Sequence, residues 1–142
     1  MEVKDVFFRN VNKTFDIRFA MNCLVRNVVY AIFCKKCGKS YIGETINFRD
    51  RMNAHRSAIN MGTNASMEIS RHIYNCGEGF TACPILKVKE ECKILRLVKE
   101  DKLIKLYKPD LNKDQRNILG LNLSIGGQLV LSNQTEFMSN IH

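Results

Sequence analysis

Three short runs of apolar residues along the chain have the composition of β-strands. Residues 27–33 (NVVYAIF) are rich in β-branched and aromatic side chains, which favour strands. A turn-like segment at residues 34–39 (CKKCGK) separates them from a second short run at residues 40–42, so the two runs predict a β-hairpin. Residues 84–88 (PILKV) predict a third strand.

Three longer stretches have their apolar positions at helical spacing. Residues 48–61 predict a first helix, which either Thr45 or Asn47 could cap. Residues 66–76 predict a shorter second helix, and residues 91–107 predict the clearest one, with an apolar stripe along one side. The apolar positions of the first helix are Phe48, Met52 and Ile59.

The order β-β-α-α-β-α predicts an α+β fold, with a small, mainly antiparallel three-stranded sheet flanked by helices. We expect residues 27–131 to form this domain, with a last short strand at residues 129–131. Residues 1–26 are interpreted as an N-terminal extension containing a short strand or helix within residues 15–20, and residues 132–142 as a flexible tail.

The chain is basic, and its net charge narrows the choice of partners. Its 142 residues carry 22 Lys and Arg against 14 Asp and Glu, a formal net charge of +8. Such a charge attracts polyanions, and nucleic acid is the commonest one, although a merely soluble basic protein would have the same balance. We found neither an apolar run long enough to cross a membrane nor a secretory signal, so we expect an intracellular, reducing compartment.

Six cysteines are many for a protein in such a compartment, and two pairs have the spacing of metal ligands. Cys34 and Cys37 form a CxxC motif, whereas His72 and Cys76 stand four residues apart on the second predicted helix and so share one face. This Cys₃His set suits structural Zn²⁺. Free thiols and a surface histidine are the alternative, and Cys23 could replace Cys76 as a ligand.

The hairpin carries two tripeptides, VVY at residues 28–30 and YIG at residues 41–43, that resemble the GIY-YIG nuclease signature. The order and approximate spacing of the residues that follow also resemble that family, and the likeness spans residues 27–112. One departure is Val28, which stands where the signature has glycine. The positions that resemble the family's site are Tyr30, Tyr41, Arg51, His55, Glu100 and Asn112.

A narrower resemblance connects the chain to the nuclease domain of Penelope-like retroelements. It rests on residues 23–30 (CLVRNVVY) and on the cysteine pair between the two tripeptides. The narrower resemblance implies a reverse transcriptase or another domain as partner, and a nuclear location if the retroelement is eukaryotic. It leaves the oligomeric state open.

Three of the side chains at the positions that resemble the GIY-YIG site have chemical properties suited to phosphodiester cleavage. Arg51 offers a fixed fork of donors that matches phosphate oxygens. His55 stands one helical turn later on the same face. Glu100 supplies a hard carboxylate oxygen, which suits catalytic Mg²⁺ or Mn²⁺.

The remaining roles are those that the family resemblance implies. Tyr30 would act as general base or position the attacking water, while Tyr41 and His55 orient water or relay the proton. Asn112 would fix the arrangement by hydrogen bonds. The sequence therefore predicts a metal-dependent DNA endonuclease. A catalytically inactive, zinc-stabilised nucleic-acid-binding module is the alternative, and Val28 weakly favours it.

Overall fold

A computed structural model describes residues 5–19 and 22–112 of the chain. It begins with an antiparallel hairpin of β1 (Asp5–Phe8) and β2 (Lys13–Asp16). The short strand or helix expected near residues 15–20 corresponds to β2, which lies earlier and ends at Asp16, and its pairing with β1 was not predicted. The segments expected at residues 129–131 and 132–142 lie outside the described residues.

The central sheet has three strands in the order β4-β3-β5, with both pairings antiparallel, which confirms the predicted α+β class. The middle strand is β3 (Arg26–Cys34), and its neighbours are β4 (Ser40–Asn47) and β5 (Phe80–Lys87). Both neighbours are longer than predicted, because pairing to β3 continues to Asn47 in β4 and back to Phe80 in β5. Pro84 lies inside β5, which is tolerated because β5 is an edge strand.

Three helices complete the fold: α1 (Phe48–Asn60), α2 (Glu68–Cys76) and α3 (Lys93–Tyr107). Asn47, one of the two predicted caps, starts α1, because its side chain accepts a hydrogen bond from the backbone N–H of Asp50. A 3₁₀ turn (Gly62–Asn64) separates α1 from α2. Among the described residues, no helix has the length and apolar character needed to cross a bilayer.

The two faces of the central sheet are covered by different elements, because successive side chains of a strand point to opposite sides. Helices α1 and α2 pack on the face that carries Tyr30 and Tyr41. The β1–β2 hairpin and α3 pack on the opposite face, which carries Val29 and Ile42. The second core contains Val6 and Phe8 of β1 and Leu103 of α3, among others.

Candidate active site and metal-ligand cluster

The two tyrosines of the hairpin lie side by side on the face covered by α1. Tyr30 pairs across the strands with Gly43, and Tyr41 pairs with Ile32, so both side chains point the same way. Their ring centroids are 6.3 Å apart. Tyr30 is fully buried, and Tyr41 is nearly so.

Gly43 makes room for the hydroxyl of Tyr30. A Cβ atom at position 43 would lie 2.5 Å from the Tyr30 hydroxyl oxygen and 3.0 Å from a ring carbon of Tyr41. Contacts under 3.0 Å are essentially never made by real Cβ atoms. The φ of Gly43 is not positive, so space alone requires glycine in the YIG tripeptide.

His55 of α1 contacts both phenol rings. Its Nε2 lies 2.9 Å from the hydroxyl oxygen of Tyr30, and its ring centroid is 5.9 Å from that of Tyr30 and 5.8 Å from that of Tyr41. Phe48, Met52 and His55 are the buried residues of α1, one helical turn apart, so the cap at the helix start also sets where His55 meets the sheet.

Burial and nearby charges set the protonation of this group. Burial, reinforced by Tyr41, raises the pKa of Tyr30 well above its ordinary value, while the charge of Arg51 opposes the shift. Burial also raises the pKa of Tyr41. Burial, followed by the charge of Arg51, lowers the pKa of His55 to about 4. At neutral pH both phenols are protonated and His55 is neutral.

Arg51 and Glu100 lie within electrostatic range of both phenols. Arg51 is exposed on α1, and its positive charge lowers the pKa of Tyr30 and of Tyr41. Glu100 is buried on α3, and its negative charge raises the same two pKa values. The charges of Arg51 and Glu100 therefore act in opposite directions on the same two phenols.

Asn112 completes the outer edge of β4. Its side-chain oxygen accepts a hydrogen bond from the backbone N–H of Ile42 at 2.9 Å, and its side-chain nitrogen donates to the Ile42 carbonyl at 2.8 Å. Leu111 adds a backbone bond to the Ser40 carbonyl at 2.8 Å. Because Ile42 lies between Tyr41 and Gly43, Asn112 holds the backbone that presents both.

The sequence prediction overlooked a buried network beside Glu100. Arg96 of α3 donates to Glu44 of β4 and to the side chain of Asn27, each at 2.9 Å. Glu44 and Arg96 are 52 residues apart, so no local pattern could pair them. The residue type at position 27 did carry one signal. Asparagine tolerates a positive φ better than most residues, and Asn27 has a φ of 60°.

Val28, which departs from the signature, is a packing residue. It is fully buried in the same core as Tyr30 and pairs with Thr45 on β4 and Lys87 on β5. A valine therefore fits at this position without disturbing the site.

The four predicted zinc ligands lie together at the far end of the hairpin. Their ligand atoms all lie within 4.8 Å of one another. Cys34 ends β3, Cys37 lies in the following turn, and His72 and Cys76 share one face of α2. The Nε2 atom of His72 is 3.1 Å from the Sγ of Cys37 and 3.4 Å from that of Cys76. Cys23 is exposed and contacts Arg49 instead.

Backbone groups of the turn favour a thiolate at Cys34. Burial raises the pKa of this thiol, but hydrogen bonds from the backbone N–H groups of Cys37 and Lys36 outweigh it, so the pKa is lowered. Burial, followed by a hydrogen bond and the charge of Cys34, raises the pKa of Cys76 to about 11. A bound cation would favour thiolates at both positions.

Comparisons with known proteins identify the family of the chain. The family model for the GIY-YIG catalytic domain matches residues 26–115. The catalytic domain of the homing endonuclease I-TevI superposes with a TM-score of 0.52 at 21% identity, covering 60% of this chain and 91% of that one. The GIY-YIG N-terminal endonuclease domain of UvrC from Thermotoga maritima gives a TM-score of 0.37 at 19% identity, covering 63% and 88%. No match is found among the curated proteins.

Proposed function

The chain belongs to the GIY-YIG catalytic domain family, and we propose that it is a metal-dependent DNA endonuclease that hydrolyses phosphodiester bonds. One observation carries the proposal. The hydroxyl of Tyr30 lies above Gly43 within 2.9 Å of the His55 Nε2 atom, in a group reached by the charges of Arg51 and Glu100.

Tyr30 and His55 act as one proton-accepting unit. The raised pKa of Tyr30 argues against a free phenolate, so Tyr30 receives the proton of the attacking water while passing its own proton to His55. Neutral His55 is available for this at pH 7, because its pKa is about 4. Tyr41 orients the water beside them.

Arg51 connects substrate binding to proton transfer. Its exposed guanidinium binds an oxygen of the scissile phosphate. The charge of Arg51 contributes to the low pKa of His55, so a phosphate bound to Arg51 offsets that charge and makes His55 a better base. The base is thus strengthened when substrate is present.

Glu100 is the residue that would hold the catalytic Mg²⁺ or Mn²⁺. Such ions take one or two carboxylates, with water and substrate phosphate completing the shell, so a single carboxylate fits. A second carboxylate whose charge acts on the phenols, that of Glu44, pairs with Arg96. The ion would supply charge stabilisation to the phosphate in the transition state.

Cys34, Cys37, His72 and Cys76 would hold a structural Zn²⁺. In a tetrahedral site with Zn–S bonds of about 2.3 Å, neighbouring sulfurs stand about 3.8 Å apart. The four ligand atoms span at most 4.8 Å, so only a small contraction is needed. Four protein ligands leave no position for water, and the site pins α2 to the hairpin that carries both tyrosines.

DNA is the proposed substrate because the basic charge of the chain extends to the site. Helix α1, which carries Arg51, also exposes Arg49 and Arg56. The turn between β3 and β4 exposes Lys35, Lys36 and Lys39, with the sequence CKKCGK. Phosphate contacts by such side chains release counterions and supply affinity that does not depend on sequence.

The affiliation with Penelope-like retroelements is a further part of the proposal. It rests on residues 23–30 and on the cysteine pair within the signature. It predicts a reverse transcriptase as partner and a nuclear location. Fluorescence microscopy of the tagged chain in eukaryotic cells tests the location, and exclusion from the nucleus would contradict it.

The decisive test is cleavage of supercoiled plasmid with Mg²⁺ or Mn²⁺. We expect metal-dependent nicking by the wild type and its loss in Arg51→Ala, Glu100→Gln and Tyr30→Phe. Arg18→Ala, which removes an exposed arginine that follows β2, is the matched control and should nick normally. DNA binding without cutting by the wild type would instead support the inactive zinc-stabilised module.

A further inference from the structure

A buried ion pair ties α3 to the strand that carries Gly43. The Nε atom of Arg96 lies 2.9 Å from the Oε1 atom of Glu44, and the two side chains are 8% and 12% exposed. Taking two charges out of water carries a desolvation penalty, which their attraction offsets only when the geometry is good. An apolar pair could hold the helix at less cost, as Leu103 does on the same helix. Attachment of α3 to the sheet is therefore not the main contribution of this ion pair.

The same guanidinium reaches a second partner, which makes the contact directional. The NH1 atom of Arg96 donates to the side-chain oxygen of Asn27 at 2.9 Å. The side-chain nitrogen of Asn27 donates to the carbonyls of Val88 and Glu90, at 2.6 and 2.7 Å. Asn27 thus fixes both the segment that leads into α3 and the first turns of the helix.

The start of α3 is not set by a side-chain cap. Its N-cap residue, Cys92, makes no side-chain capping hydrogen bond. Apolar contacts such as that of Leu103 are non-directional and tolerate sliding. The hydrogen bonds of Arg96 to β3 and β4 have fixed angles, so they do not tolerate sliding of the helix.

Glu100 depends on that register. It follows Arg96 by four residues, so both side chains lie on one face of α3. A slip of one residue would turn this face by about 100° and move it about 1.5 Å along the axis. Glu100 would then leave the range in which it acts on Tyr30 and Tyr41.

We propose that Arg96 is a positioning residue that, through Glu44 and Asn27, holds Glu100 at the register required for metal binding beside the two phenols. This inference rests on the proposed function. It also gives Glu44 a role, since pairing with Arg96 keeps this second carboxylate away from the ion.

The test removes both charges together, so that no unpaired charge stays buried. Replacing a whole buried pair by apolar residues of similar volume often leaves stability unchanged or higher. We therefore expect Glu44→Met/Arg96→Met to fold, with a thermal midpoint lowered only by the loss of the hydrogen bond that Arg96 donates to the Asn27 side chain. Because outer-shell changes weaken metal sites about 10- to 100-fold, Mn²⁺ affinity should fall at least tenfold. If this variant does not fold, Glu44→Gln/Arg96→Gln replaces it with the same expectation.

Two readouts are compared: Mn²⁺ binding by electron paramagnetic resonance, and plasmid nicking at saturating DNA. The variant should need about tenfold more Mn²⁺ and show a lower kcat, with KM for DNA unchanged because the surface arginines remain. Glu100→Gln should lose the Mn²⁺ site altogether. Glu91→Gln is the matched control, because it breaks an exposed pair with Arg26 between the same two parts of the chain and should change nothing.

The outcomes separate the two proposals. A folded double variant with wild-type Mn²⁺ affinity and kcat would overturn the positioning role and leave the proposed function intact. A wild type that binds no Mn²⁺ would overturn both. Wild-type Mn²⁺ binding that the double variant weakens, in a protein that cuts no DNA, would support the positioning role and refute the proposed function.

Discussion

Gly43→Ala is the substitution that most directly probes the packing of the two tyrosines. The added Cβ atom would lie 2.5 Å from the hydroxyl oxygen of Tyr30 and 2.6 Å from the ring carbon that bears it. Tyr30 is fully buried and hydrogen-bonded to His55, so it has no free space into which to move. Either the strand or the tyrosine must shift, and the contact with His55 is lost.

The cost follows from two terms. Inserting a methyl group into a packed core costs about 1–3 kcal/mol. Leaving the buried hydroxyl of Tyr30 or the ring nitrogen of His55 without its partner adds about 1–3 kcal/mol. We expect a loss of about 3 kcal/mol in the free energy of unfolding, which for a domain of this size lowers the thermal midpoint by about 10 °C. Nicking should fall further than stability, because the proton-accepting pair is displaced.

Gly77→Ala is the matched control. Gly77 has a φ of +79° at the end of α2, and nothing lies within 4 Å of its added Cβ atom. This change should cost about 1–2 kcal/mol of backbone strain and leave the nicking rate of the folded protein unaltered. Thermal unfolding by circular dichroism and plasmid nicking well below the midpoint measure both effects. Wild-type stability and nicking in Gly43→Ala would refute the packing described for Tyr30.

Three further predictions follow from other parts of the structure. Cys34→Ser should lose one zinc per chain by metal analysis and unfold at a lower temperature. Cys23→Ser should keep the zinc and the wild-type unfolding temperature. A Cys34→Ser protein as stable as wild type would end the zinc proposal. The folded pKa of His55 is lowered from 6.5 to about 4, so its contribution is complete above pH 6.5 and is lost as the pH falls towards 4. Wild type should therefore lose up to about 3 kcal/mol more stability over that interval than His55→Gln, and parallel curves from denaturant titrations would contradict this. Asn112→Ala removes two hydrogen bonds at the edge of β4 and should lower the free energy of unfolding by about 2 kcal/mol. Asn60→Ala, on the exposed side of α1, should change it little. Equal urea midpoints for the two variants would contradict the role of Asn112 in holding β4.

Local patterns determined the fold class and most of the helices and strands. The β-branched and aromatic content of residues 27–33 and the cap at Asn47 are local signals, and each was confirmed. The helix predicted over residues 91–107 was confirmed as α3, but its apolar stripe is not its buried side, because Ile94 and Leu106 are exposed whereas Arg96 and Glu100 are buried. The strand ends were not decided locally: β4 and β5 extend beyond the predicted runs as far as each pairs with β3. The β1–β2 hairpin was not predicted by local pattern either. Its apolar residues are buried in the core on the face of the sheet opposite the two tyrosines.

The candidate site divides in the same way. The sequence alone named the phenols, Arg51, His55 and Glu100 through a resemblance, and the ligand spacing of the four zinc candidates through its own pattern. Only the tertiary structure decided that the Tyr30 hydroxyl meets His55, that Gly43 is needed for space, and that Arg96 pairs with Glu44. The physical reason is range. Capping, periodicity and i,i+4 spacing act within a few residues and are visible in a sequence. Burial, pKa and ion pairing instead depend on atoms that folding brings together from as many as 98 residues apart.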